Sequence, residues 1–239
     1  MIVIDEVGET SPFKEKEKKY GMAVSVTEHS GLFGSLSQDH MRLQLERGVL
    51  SEKARKRIAE TSELKARDDT EEGKDEMIRN IKALDTKTYG FVVDKKNPPI
   101  GWKNKNTGKN ALFVLDYTLD RVIPTVKGDT IVVVDNNSGY KKQARDLIES
   151  KSDDKRVVTG DQYSSTGDEF SPQLQTHDYV ANALRNNIES GDGRRTSELG
   201  MKICNIESLK KYALKDYSRR GNDRFGDQQE PDPVRPRSR

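Results

Sequence analysis

The stretch TIVVVD at residues 130–135 is a fully apolar run closed by an acid. Such a run reads as a strand buried on both faces, in the middle of a sheet. Upstream, residues 107–122 place Leu112, Leu115, Leu119 and Val122 along one face at helical spacing. Downstream, residues 140–149 read as a helix and residues 155–159 as a further strand. Residues 171–188 form a helical pattern behind a Ser-Pro start, with Leu174, Tyr179, Val180, Ala183 and Leu184 inward. Strand and helix therefore alternate around the central run, which predicts an α/β fold.

The N-terminal part changes the sheet type. MIVIDE at residues 1–6 is a short apolar run ended by acids, and YGMAVSVT at residues 20–27 alternates apolar with polar. These predict two strands paired as a hairpin, so the sheet is mixed. KTYGFVVDK at residues 87–95 predicts a third strand, broken by the NPP that follows. Between strands two and three, Gly31 to Ser37 reads as Gly/Ser punctuation. Residues 38–60 read as a charged helix split at Gly48, with Met41, Leu45 and Ile58 inward. Residues 68–82 carry Met77, Ile78 and Ile81 in a second amphipathic pattern. Residues 206–217 are a last candidate helix. One domain is expected over residues 1–217, including that helical extension, and a disordered tail over the Pro-, Gly- and Arg-rich residues 218–239.

Composition removes several functions. Of 239 residues 34% are charged, and the balance is 42 − 40 = +2. No run approaches the roughly 20 apolar residues of a membrane span, and the acids near the start do not suit a signal peptide. A cytoplasmic protein without membrane contact is expected. One cysteine, Cys204, excludes an internal disulfide framework and a Cys-based zinc cluster. Three histidines, His29, His40 and His177, are too scattered for a typical zinc site.

Four acids stand at telling places. Asp5 ends the first strand, Glu63 lies between two helices, Asp135 ends the central strand, and Asp178 sits early in a late helix. Carboxylates at the ends of buried strands are costly unless paired, hydrogen-bonded or bound to a cation. Hard carboxylate oxygens suit Mg²⁺ or Mn²⁺. Each acid also has a plainer reading: Asp135 heads DNNSGY and suits a turn or helix cap, and Glu63 suits an exposed loop. Glu6 and Glu9 are assigned to solvent. Lys65 follows Glu63 by two positions, so an extended segment points both side chains the same way. Lys65 and Lys95 are candidate phosphate contacts, and Asn136 a candidate for orienting Asp135 or water; solvated loop residues are the alternative. Trp102 among lysines suits either strand stacking or a loop anchor.

Five short words in order carry a resemblance. They are IDEVGET (residues 4–10), SELKAR (62–67), FVVDKKNPP (91–99), IVVVDNNSGY (131–140) and LQTHDYVANAL (174–184). Together they resemble the family designated domain of unknown function 3800, which is similar in fold to ribonuclease H. The resemblance implies an RNase H-like mixed sheet flanked by helices, with Asp5, Glu63, Asp135 and Asp178 as its acids. This chain departs at Val7, where Ser is usual, at Glu9, where Asp is common, and at His177, where a small residue precedes the late Asp. The expected function is a Mg²⁺- or Mn²⁺-dependent nuclease or related phosphoryl-transfer enzyme, with nucleic acid as partner and water as nucleophile. The alternative is a non-catalytic nucleic-acid- or protein-binding module on the same fold.

Overall fold

A computed structural model describes residues 1–8, 19–98, 107–126, 130–135, 141–151, 157–160 and 170–206. A six-stranded mixed sheet runs through it in the order β5-β4-β1-β2-β3-β6. The strands are β1 (Ile2–Val7), β2 (Lys19–Val26), β3 (Lys87–Asp94), β4 (Val132–Asp135), β5 (Val157–Gly160) and β6 (Lys202–Asn205). The two expected hairpin strands pair antiparallel, Ile2 facing Val26 and Val7 facing Gly21. β4 lies parallel to β1 on the other side, and β5 parallel to β4. The apolar word that predicted a central strand thus fills the slot beside β1.

Alternation along the strands divides the core. Ile2, Ile4, Val132 and Val134 face one side, where α4 (Thr107–Val122) packs Leu112, Leu115 and Leu119 against them. Val3, Val7, Ala23 and Val133 face the other. There α6 (Ser171–Ser190) buries Leu174, Val180, Ala181 and Leu184, and α3 (Glu71–Ala83) buries Met77, Ile78 and Ile81. The remaining helices are α1 (Ser30–Arg47), α2 (Glu52–Thr61), α5 (Lys141–Lys151) and α7 (Arg194–Glu198). Among the described residues no helix is long and apolar enough to cross a membrane.

Several boundaries have local causes. The Ser51 side chain accepts from the Ala54 N–H at 3.2 Å and starts α2; that of Thr70 accepts from the Gly73 N–H at 2.9 Å and starts α3. Gly48 ends α1 with φ +69°, the left-handed conformation that suits glycine, so the expected split falls where the sequence put it.

Three expectations need correction. Gly31 to Ser37 is the opening of α1, not punctuation. Small residues are there because α1 lies close to α6: a Cβ on Gly34 would meet Gln173 Nε2 at 2.8 Å, and the Ser37 hydroxyl lies within reach of the Gly34 and Pro172 carbonyls. Leu45 is 40% exposed, while its neighbour Gln44 turns inward. Glu6 is not a solvent residue, as shown below. The strand β6 and helix α7 were not anticipated, and the candidate helix over 206–217 and the tail over 218–239 lie outside the described residues apart from Ile206, which is buried.

Candidate functional site

Register brings the first two acids together. Ile2, Val3 and Ile4 pair with Val132, Val133 and Val134 in parallel, so one step further Asp5 stands beside Asp135. Side chains two apart on a strand share a face. Asp5 and Asp135 therefore turn to the face of Val3 and Val133, which α6 covers. Asp178 comes from that helix, and its Oδ2 accepts from the Ala66 N–H at 2.8 Å. This bond ties residues 63–66 to α6. Glu63 and Lys65 are only 4% and 6% exposed, with Leu64 between them packed on Ala54 and Ile58 of α2.

The crowding shifts the charges. Burial pushes the Asp5 carboxyl well above the usual carboxylate range, and the charges of Asp135, Asp178 and Glu6 push the same way. Burial also raises Glu63; Lys65 opposes the shift, Asp178 adds to it, Arg57 opposes it and Asp135 adds to it. All four sequence-derived acids thus share one electrostatic neighbourhood. The donor set is hard oxygen, and its self-repulsion is what a divalent cation relieves. Among the described residues, no three His, Cys, Asp or Glu side chains form a ready chelating group. The fit to Mg²⁺ or Mn²⁺ is one of donor chemistry and charge.

The other candidates are placed differently. Lys95 lies just past the end of β3, on the sheet edge where β1 also ends, with β2 between them. At the usual strand spacing that is roughly 10 Å from β1. Asp94 shapes this turn, accepting from the Lys96 N–H at 2.9 Å. Asn136 and Trp102 lie outside the described residues.

The chain is similar in structure to the RNase HII of the PCNA:RNase HII complex from Archaeoglobus fulgidus, with a TM-score of 0.51 and 15% identity over 83% of each chain. The fold is RNase H-like. No family model and no curated protein matches the chain.

Within this RNase H-like fold, Glu6 was the residue the sequence misplaced. It turns to the opposite face from Asp5, beside the buried Tyr20, and its Oε1 is buried without a hydrogen-bond partner. Burial pushes its carboxyl up to about 7; the Tyr20 hydroxyl lowers it and Asp135 raises it. The signal was present as alternation: if Asp5 faces α6, Glu6 must face α4.

His177 has a structural role. Its Nε2–H donates to the Ala23 carbonyl at 3.1 Å, which leaves Nδ1 to accept from the Ser25 hydroxyl at 2.8 Å. Full burial lowers its pKa to about 4, against a weaker opposing effect of the Ala23 bond, so it is neutral at pH 7. It anchors α6, and with it the turn bearing Asp178, to β2. His177→Phe strands the Ser25 hydroxyl and is expected to cost about 2–3 kcal/mol. Urea denaturation measures this, and a loss under about 0.5 kcal/mol contradicts the anchoring role. A second buried network lies behind it. Asp69 Oδ2 accepts from His40 Nε2 at 2.8 Å and from the Tyr179 hydroxyl at 3.1 Å, joining α1, the start of α3 and α6.

Proposed function

We propose that this chain is a divalent-metal-dependent nuclease, or a related phosphoryl-transfer enzyme acting on phosphodiester bonds. The reading is supported most by the convergence of Asp5, Asp135, Glu63 and Asp178 on one side of the sheet edge, beneath α6. These four would hold Mg²⁺ or Mn²⁺. Such ions activate water and neutralise the leaving oxygen of a phosphodiester. The chain's own residues set the geometry. The parallel pairing of β1 with β4 fixes the spacing of Asp5 and Asp135. The Ala66 N–H orients Asp178. Lys65, buried beside Glu63, limits the local negative charge and is the candidate phosphate contact. The kinship to the domain of unknown function 3800 family belongs to the same proposal, as does nucleic acid as the substrate.

The test is cleavage of labelled single- and double-stranded DNA and RNA with Mg²⁺ or Mn²⁺, beside an Asp135→Asn control. Cleavage by the wild type alone supports the reading and names the substrate. Absence of cleavage on all four, with binding retained, favours a non-catalytic nucleic-acid-binding module.

A further inference from the structure

Helix α2 is basic on its outer face and packed on its inner one against Leu64, in the segment that carries Glu63. Its sequence begins EKARKR, so Lys53, Arg55, Lys56 and Arg57 fall within five residues that contain no acid. Ala54 and Ile58 turn inward and pack on Leu64, the residue between Glu63 and Lys65. Lys53 and Lys56 point to solvent, each with its side chain 77% exposed, and Arg55 is exposed beside them. Arg57 is near enough to Glu63 to lower its pKa.

The acids in reach do not neutralise this face. Of the two buried carboxylates beside it, Glu63 and Asp68, Asp68 serves three cations: Arg57 at 3.1 Å, Lys53 at 3.8 Å and Arg67 at 3.8 Å. Glu60 makes only a 4.0 Å exposed contact with Lys56, and Glu52 sits in the first turn of the helix. Over residues 52–68 the balance is 6 − 4 = +2, as large as that of the whole 239-residue chain.

We propose that the outer face of α2, with Arg67, docks the phosphate backbone of a nucleic-acid strand and guides it to the acid cluster. The partner follows from charge complementarity: spaced, solvent-exposed cations on one helix match a linear polyanion, and they carry no base-reading geometry. Docking here is therefore sequence-independent. Its position matters because the helix packs on the segment that carries Glu63 and Lys65. A strand held on α2 lies about one helix diameter, roughly 10–12 Å, from the segment that carries Glu63, a region whose carboxylates would repel it unaided. This inference rests on the nucleic-acid reading above, and extends it by naming where the strand binds.

The test is binding of a fluorescent oligonucleotide in EDTA, which prevents metal-dependent cleavage, at several salt concentrations. The Lys53→Ala/Arg55→Ala/Lys56→Ala variant keeps a good helix-forming sequence. It is expected to bind about tenfold or more weakly at low salt, with a log–log salt slope smaller by about 2–3, at about 0.7–0.9 per lost phosphate contact. A control with the same charge change, Lys82→Ala/Arg145→Ala/Arg194→Ala, removes exposed ion-paired bases elsewhere and is expected to bind as the wild type does. Equal binding by the α2 variant and the wild type overturns the proposal, as does equal weakening by the control. So does α2-dependent binding of phosphatidylserine vesicles matching that of the oligonucleotide. The cleavage assay separates the two claims. Binding through α2 without cleavage removes the nuclease reading and leaves the dock; cleavage with α2-independent binding does the reverse.

Discussion

Asp135→Asn is expected to lower metal-dependent cleavage by at least about a hundredfold while the protein keeps its fold. Removing one preorganised charge-stabilising group in an active site costs about 10²–10³ in rate, and a metal ligand is at least that demanding. Asp135 ends β4, after Val132, Val133 and Val134 have made the buried part of the strand. Asparagine keeps the shape and loses the charge, so the apolar pairing with β1 survives. Circular dichroism and activity measured on the same sample check the expectation. Activity within a few-fold of wild type in a folded Asp135→Asn variant removes Asp135 from the site.

Asp5→Asn is expected to stabilise the metal-free protein, and to abolish much of its pH dependence. In the folded chain Asp5 and Glu6 retain protons at pH values where the unfolded chain has released them, because both carboxyls are raised. The folded state then binds more protons, and stability falls as pH rises toward the folded pKa values. His177 works with the opposite sign, between about 4 when folded and 6.5 when unfolded. Above about pH 6.5 His177 drops out, and the group opposing the acids is the Met1 ammonium, which burial lowers from its ordinary value of 8.0. In EDTA the Tm of the wild type should fall from pH 6.5 to 8. Asp5→Asn should raise the Tm at pH 8 by about 2–4 °C for each kcal/mol of repulsion relieved, and flatten the fall to the part that Glu6 and Glu63 contribute. Saturating Mn²⁺ should flatten it in the wild type and do little in the variant. A Tm profile from pH 6.5 to 8 in EDTA that is the same in the wild type and in Asp5→Asn contradicts the buried, repelling arrangement. A residue that weakens the empty protein and strengthens it when loaded is what a metal ligand looks like thermodynamically.

Much of the sheet was legible because its strands obey period-two or fully apolar patterns with clear stops. IVIDEV, YGMAVSV and VVVD each show this, and α4 and α6 show helical spacing at the positions the structure buries. What failed did so for tertiary reasons. Gly31, Gly34 and Ser37 look like a loop locally and are helical because α6 needs α1 close. KICN is a four-residue edge strand in which Lys202, Ile203 and Asn205 are exposed and Cys204 is half-buried, and β3 supplies the pairing that forms it. In the site, the sequence singled out Asp5 and Asp135 at strand ends, Glu63 between two helices and Asp178 early in a late helix, and strand register with the α6 crossing brings them into one electrostatic neighbourhood. It misread Glu6, because a carboxylate beside Asp5 was taken as a second surface acid. Its burial depends on Tyr20 and the α4 face, which are remote in sequence.

The central claim is that Asp5, Asp135, Glu63 and Asp178 form one divalent-cation site. Isothermal titration of the metal-free protein with Mn²⁺ tests it directly, run on the wild type, Asp5→Asn and Asp135→Asn. The account predicts saturable binding by the wild type, weakened at least about tenfold in each variant, since losing even an outer partner of a metal ligand costs 10–100-fold. Mn²⁺ binding that is absent from the wild type, or unchanged in both variants, contradicts it.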